Sequence, residues 1–557
     1  MQKVDQESCL LETNRRLSKS LLWRLQRNYF ERQGIDAWRS GTVPHHITSS
    51  PFIADAYARV VMGFLRDWNS SLDYSQPVHI VELGSGSGRF AYSFLKKFLR
   101  RHRSSVLKDI PVKYVMTDFT KSNLDYWRTH PWLLPLIEAG SLDFARFDLE
   151  SDVQLELLHS GEMLLNETLR NPLVVIANYV FDSTPQDAFV CADEKLFEIL
   201  VSLTPQKEID TGDTGSLSSV EFSTHENLVN GNYYDDPKWN RILLDYKQRL
   251  DDTAFLFPTS ALHCIRNLHC LSGGRMLLLS GDRGYSHDDA LKLGSGILDF
   301  AVHGSFCMMV DYQIIGEYGR QLGGQVLHPA KQAESLNISA FLFGDPADDF
   351  VETNQAYDEA IEKFGPDDFF TLKEGIAEHY DALNLDQILA FLRLSCWDYK
   401  RFGECLPVLK EHLPDITNVQ KKQLHETIMK VWDSYLPIGE EDDLAFQLGT
   451  LLLEIDYYAE ALELLQHSVD LYGMAPGTAY NMGVCCYGLG QMEQALGYVN
   501  HALQLDPELE TAITLRAQLR TVVPAMTVRR ARRKVFGRSP HGHYRQTNVS
   551  VRAMRSP

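Results

Sequence analysis

The chain lacks any uninterrupted apolar run of about 18 residues, the length a bilayer-spanning helix needs. Its opening, MQKVDQESCLLETNRRLSKS, has no apolar core of a secretory signal, and its mixed charge does not suit a transit peptide. Cysteine is scarce and odd in number, nine in 557 residues, which implies neither a disulfide framework nor a spaced zinc site. The HCIRNLHC stretch, His263 to Cys270, places alternate ligands on different faces of a predicted helix, so no metal is expected. Basic charge is also short: 54 Lys and Arg against 74 Asp and Glu leave a net charge of −20, which argues against a general nucleic-acid binder. These absences predict a soluble, thiol-reduced, cytoplasmic protein without a transmembrane segment.

What is present is globular. Apolar residues at 44% and charged residues at 23% suit packed cores, and 557 residues predict more than one domain. Charge is unevenly spread, because Lys and Arg without any Asp or Glu fill the chain from Thr521 onward. Residues 523–557 are expected to form a basic, solvated tail.

In the amino-terminal half, residues 1–39 read as a helical segment. Ser50 is placed to cap a helix that has Pro51 at its first position, and Phe52, Ile53, Ala56, Tyr57, Val60, Val61, Phe64, Leu65 and Trp68 recur at helical spacing. Val78 to Leu83 then reads as a strand, Gly84 to Gly88 as a turn and Phe90 to Leu99 as an amphipathic helix. Strand, glycine turn and helix make the first unit of a doubly wound α/β sheet. Residues 112–118, 142–148, 173–182 and 275–282 read as further buried parallel strands, and Gly304 to Ile315 as the terminal antiparallel pair. The domain is expected to span 40–345, with a polar insertion at about 206–236 that is either a mobile lid or an idle surface loop.

The turn reads G-x-G-x-G, and Arg89 stands where a dinucleotide fingerprint has its third glycine. No Gly-Lys-Ser/Thr follows, so a phosphate loop is also excluded. The pattern fits the E/D-x-G-x-G-x-G signature of S-adenosylmethionine-dependent methyltransferases, with Glu82 as the acid that meets the cofactor ammonium. Asp118 closes the second strand, where a carboxylate accepts from two ribose hydroxyls, and Asp148 closes the third, where one accepts from an adenine amino group. Glu82, Gly84, Ser85, Gly86, Gly88, Asp118, Phe119, Asp148, Leu149 and Asn178 are the expected cofactor residues.

Three stretches in order, ITSSPFIADAYARVVMGFLRDW, IVELGSGSGRFAYSFLKKF and VVIANYVFDSTPQDAF, resemble the MidA family, which includes mitochondrial complex I assembly methyltransferases that modify a protein arginine. The resemblance covers roughly residues 40 to 320 and implies a Rossmann-like class I methyltransferase fold. Gly281 to Tyr285 falls where that family usually has an Asp-Tyr-Gly turn. The family's Asn-Glu-x-x-Asp-Ala-x-Pro is here Asn178, Tyr179, Asp182, Ser183 and Pro185, so the glutamate is replaced by tyrosine. A tyrosine cannot neutralise a guanidinium held in a carboxylate fork. Asp182 remains as the acid able to orient or deprotonate an acceptor, or simply to cap the turn before Pro185, and Asp182 with Asn178 are the expected catalytic pair.

Beyond about residue 350 helical spacing takes over, and two segments match at a period of 34. Phe446 to Gly449 answers Tyr480 to Gly483, Ala461 answers Ala495, and Leu465 answers Val499. That is the tetratricopeptide period, and it predicts a repeat domain over 350–522 with a degenerate unit near 391–411 and a capping helix over 511–522. The whole then reads as a methyltransferase acting on a protein side chain recruited by the repeats. Two alternatives stay open: a non-catalytic scaffold of the same fold, and a small-molecule methyltransferase whose repeats serve a homo-oligomer.

Overall fold

The computed structural model describes residues 11–43, 47–205, 220–293, 301–303, 305–333, 335–347 and 349–521. Two compact units emerge. One runs to His379 and takes back Ser434–Ile438; the other holds Tyr380–Asp433 and the chain from Gly439 onward.

The first unit is built on a seven-stranded sheet of Val78–Leu83 (β1), Val112–Asp118 (β2), Leu142–Arg146 (β3), Leu173–Asn178 (β4), Met276–Asp282 (β5), Gln325–Leu327 (β6) and Asn337–Phe343 (β7). Its order is β6-β7-β5-β4-β1-β2-β3, with β1 to β5 parallel and β7 antiparallel to both β5 and β6. Near-continuous apolar strands form here because both faces are covered. On one face Ile80, Tyr114, Met116, Val174, Ile176, Leu277 and Leu279 join a core with helix Pro51–Asp67 (α1) and helix Arg89–Arg103 (α2). The alternate residues Val81, Leu83, Val115, Val175, Ala177 and Leu278 join a second core with helices Pro237–Arg249, Thr259–Leu271 and Tyr312–Gln321. The α1 cap is as read from sequence: Ser50 Oγ accepts from the Phe52 amide at 3.2 Å.

A second, antiparallel sheet takes in Glu12–Arg16, Asp187–Ala192, Lys195–Pro205, Val220–Leu228 and Thr253–Phe257. Its first strand corrects the wholly helical reading of the amino terminus, since Glu12–Arg16 pairs with Lys195–Pro205 before helix Leu21–Gln33 begins. The expected insertion is corrected in part as well: Val220–Leu228 is a strand, and residues 206–219 lie outside the described residues. The terminal antiparallel pair is also displaced along the chain. Residues 305–315 hold two short bridges and the start of helix Tyr312–Gln321, whereas the pair is β6 and β7. Asp311 explains the switch, because its carboxylate accepts from the Gln313 and Ile314 amides at 3.0 and 3.1 Å and starts a helix there.

The unit also extends past the expected limit near 345. Asp67, buried at the end of α1, accepts from the amides of Glu352 and Thr353, both at 2.9 Å, and so caps helix Val351–Tyr357 against α1. Segment Ser434–Ile438 belongs to the same unit: Leu436 is buried in the α1 core, and the Ile438 carbonyl accepts from Arg39 Nε at 2.7 Å.

The second unit is helical. Pairs Leu385–Leu394 with Tyr399–His412, Leu444–Glu454 with Tyr458–Tyr472, and Pro476–Gly488 with Met492–Leu505 follow one another, and 510–521 is helical too. The period of 34 has a structural counterpart. A Cβ added at Gly449 would lie 3.0 Å from Leu465, and one at Gly483 would lie 2.7 Å from Val499, with Ala461 O and Ala495 O each at 3.3 Å. In each pair a glycine lets two helices press together at the same place. The basic tail expected over 523–557 lies outside the described residues.

Candidate functional site

Strand order reverses between β1 and β4, and the carboxyl ends of β1 to β5 open on one cavity of about 280 Å³. Every expected site residue lines it except Gly88. Gly88 instead starts α2 in the left-handed region at φ 76°, where a Cβ would meet Met116 Cε at 3.0 Å. Gly86, at φ 51°, is restricted from another direction. Its added Cβ would lie 2.8 Å from the Trp38 ring, so in this structure a protein indole makes the close approach expected of a cofactor.

Glu82 is 3% exposed and accepts from Ser85 Oγ at 2.6 Å. Burial pushes its carboxyl up to about 7, the Ser85 hydrogen bond offsetting only part of that. Asp118, also buried, accepts from the Thr120 amide at 2.9 Å and Asn123 Nδ2 at 2.8 Å, and burial again raises its carboxyl. Asp148 is less enclosed. Arg27 grips it with two nitrogens at 3.3 and 2.7 Å, and the same guanidinium stacks over Phe119 with its carbon 4.5 Å from the ring centre.

At the end of β4, Asn178 Oδ1 accepts from Tyr57 Oη at 2.8 Å, while its Nδ2 is buried with no partner among the described residues. Tyr179 follows at φ 51°, a left-handed conformation rare for a bulky side chain, and its amide donates to Gly281 O at 3.0 Å. That turn directs the chain so that Asp182, 3% exposed, faces the cavity. Ser183 Oγ donates to Asp182 Oδ1 at 2.8 Å, and burial pushes this carboxyl up to about 6. Behind it lies Asp282 at the end of β5, fully buried. Burial and then the charge of Asp182 raise the Asp282 carboxyl well above its ordinary value, so the two acids do not carry two charges together.

Several residues at the cavity were not legible from the glycine motif. Helix Leu21–Gln33 supplies Trp23, Gln26, Arg27 and Phe30. Gln26 ties this helix to the acceptor end, donating to Ser183 O at 3.0 Å and accepting from the Phe306 amide at 2.8 Å. Arg283, just after β5, is exposed on the cavity wall. Asp282 and Arg283 had a usable signal, since the rule that singled out Asp118 and Asp148 at strand ends applies equally to β5. Arg89 proves to be a packing residue: its Nε donates to Leu436 O at 3.0 Å and its guanidinium lies 5.1 Å from the centre of the Tyr435 ring.

Residues 58–290 match the family model described as "Putative S-adenosyl-L-methionine-dependent methyltransferase". The chain is an S-adenosylmethionine-dependent methyltransferase. Its cofactor is S-adenosylmethionine, and the donor set suits that molecule: among the described residues buried Glu82 has no basic partner for its charge, and the Asn178 amide nitrogen has no acceptor. No curated protein matches the methyltransferase. Among solved structures, an uncharacterized protein from Burkholderia thailandensis is similar over 61% of this chain and 89% of its own, with 13% identity and a TM-score of 0.38. A second from that organism, bound to S-adenosyl-homocysteine, covers 60% of this chain and 95% of its own, with 13% identity and a TM-score of 0.35. An O-methyltransferase family protein, also from that organism, covers 57% and 69%, with 12% identity and a TM-score of 0.25. Among the described residues no helix of the methyltransferase is long and apolar enough to cross a membrane.

Proposed function

We propose that the methyltransferase modifies a protein side chain, with the acceptor atom placed between Asn178 and Asp182. The observation that carries this reading is the division of the crevice: buried Glu82 and Asp118 and half-buried Asp148 lie at the ends of β1 to β3, and Asn178, Tyr179 and Asp182 lie across the switch point at the end of β4. Glu82 would meet the cofactor ammonium, Asp118 the ribose hydroxyls and Asp148 the adenine end, with Gly84, Ser85, Phe119 and Leu149 lining the space between. S-adenosylmethionine, held by these residues, would supply an electrophilic methyl to the acceptor's lone pair and keep the electrons of the broken bond on its sulfur. The protein's own contribution is orientation, since a held near-attack geometry replaces a bimolecular encounter. Asp182 Oδ1 is held by Ser183 and its other oxygen has no donor among the described residues, which suits it to take the acceptor's proton.

The helical unit supports a protein acceptor. Its 34-residue period and glycine-mediated helix pairing support a reading as tetratricopeptide repeats, whose stacked pairs commonly dock peptides. The test is transfer of labelled methyl from S-adenosylmethionine in a host extract, with protein and small-molecule fractions counted separately. Label in a protein band that falls at least tenfold with Asp182→Asn supports the reading. Label confined to small molecules, or none with cofactor bound, would refute it.

A further inference from the structure

Two acids and one cation stand at the acceptor end of the cavity, and their protonation decides what it attracts. Asp282 is fully buried, its Oδ2 accepts from Tyr312 Oη at 3.3 Å and the Phe181 amide at 3.4 Å, and its Oδ1 has no partner among the described residues. A carboxyl in that setting stays neutral, so the Asp182–Asp282 pair carries a single negative charge and is no double-carboxylate trap for a guanidinium. Arg283 then adds a positive charge. Its side chain is exposed on the cavity wall and, among the described residues, makes no ion pair, although its field acts on Asp182, Tyr179 and Cys307 and it hydrogen-bonds the Cys307 thiol.

The backbone beneath this cation is fixed. The Val310 amide donates to Arg283 O at 2.9 Å, and a Cβ at Gly284 would lie 2.4 Å from Val310 O, so the turn is clamped to the Val310–Asp311 bridge. Arg283 is thereby presented to the cavity from a rigid element, as recognition of a charged ligand requires. A cation with no ion pair among the described residues, beside a carboxylate with one open oxygen, is half of a recognition site. Its complement is an anion joined to a proton-bearing nucleophile.

We propose that Arg283 recognises the acceptor through a carboxylate or phosphate lying next to the hydroxyl or amine that takes the methyl, while Asp182 receives that nucleophile's proton. This rests on the methyltransferase reading and deepens it. Charge balances, because the nucleophile's lone pair makes the new bond, sulfur keeps the pair of the broken one, and the proton passes to Asp182 Oδ2. A cationic acceptor such as arginine is repelled by Arg283 and finds no second ionised carboxylate.

The full chain, saturated with S-adenosylhomocysteine, is titrated calorimetrically with malate, glycerol 3-phosphate and agmatine. Malate pairs a hydroxyl with carboxylates, glycerol 3-phosphate pairs one with a phosphate, and agmatine carries a guanidinium. The expected result is saturable binding of an anion, weakened at least tenfold in Arg283→Gln and less in Arg283→Lys, with S-adenosylhomocysteine affinity unchanged in both and no binding of agmatine. Binding of malate alone assigns a carboxylate, and of glycerol 3-phosphate alone a phosphate. Anion binding that is absent or indifferent to Arg283→Gln, or agmatine binding more tightly than either anion, overturns the proposal. Failure of the wild-type chain to bind S-adenosylhomocysteine would instead overturn the underlying cofactor site, and this inference with it.

Discussion

Cofactor binding should depend on pH through Glu82. The side chain is 3% exposed, it has no basic partner among the described residues, and burial pushes its carboxyl up to about 7 from an ordinary 4.5. The sign follows directly. The folded protein without cofactor holds a proton on Glu82 between pH 4.5 and 7 that the unfolded chain releases, so that stabilisation fades as pH rises, by on the order of 3 kcal/mol across the window. An ammonium bound at Glu82 favours the ionised carboxylate, so binding below pH 7 must expel a proton. Affinity for S-adenosylhomocysteine should therefore rise up to about tenfold per pH unit between about 5.5 and 7 and then level off, while the ligand's own ammonium stays protonated below about 7.7. Calorimetry in two buffers of different ionisation enthalpy should count close to one proton released per ligand at pH 6. Asp118 is raised by burial in the same crevice and has the same sign, so Glu82→Gln separates them. That variant should bind more weakly and lose most of the slope. A flat wild-type profile, or an undiminished slope in Glu82→Gln, would refute the reasoning.

The remaining predictions concern packing around the site. Gly86→Ala puts a Cβ at φ 51° and 2.8 Å from Trp38, and should cost about 1–3 kcal/mol in urea unfolding; adding Trp38→Ala should not deepen the loss by the full single-variant amount, because one clash is shared. Asp67→Ala leaves the amides of Glu352 and Thr353 without their acceptor in a buried setting and should destabilise by about 2–4 kcal/mol, with proteolysis of the 351–379 region accelerated. Arg89→Ala removes the donor to Leu436 O and the stack on Tyr435, and should cost about 2–4 kcal/mol and increase hydrogen exchange in 434–438. Arg27→Ala should cost under about 1 kcal/mol, because both it and Asp148 are about a third exposed; a larger loss in thermal unfolding would mean that the amino-terminal helix depends on this pair.

The two readings left open beside a protein acceptor now have different support. Asn178 Nδ2 is unpaired and the oxygen of Asp182 opposite Ser183 has no donor among the described residues, which is hard to reconcile with a crevice that serves only as scaffold. A small-molecule acceptor is compatible with Arg283 and is separated from a protein acceptor by where the label goes. The tyrosine at 179 matters less for lost charge than for shape. Its left-handed backbone turns the chain after β4, and the ionisable group that this turn presents is Asp182.

What the sequence determined by itself was local. The buried strand runs, the glycine turn after Val78–Leu83, the Ser50–Pro51 helix start and the 34-residue period depend on side-chain periodicity and backbone freedom among near neighbours, and each was readable without coordinates. Tertiary structure decided whatever joined residues far apart in the chain. It set Trp38 on Gly86, Arg27 on Asp148 and Leu436 on Arg89, and it placed β6 and β7 where a nearer segment had been expected, because Asp311 caps a helix in that segment. It also decided charge. Asp182 and Asp282 are two ordinary acids in sequence, a hundred residues apart, and only their shared burial leaves one ionised beside Arg283. Periodicity records what a residue does to its neighbours along the chain; desolvation and long-range contact exist only once the chain has folded.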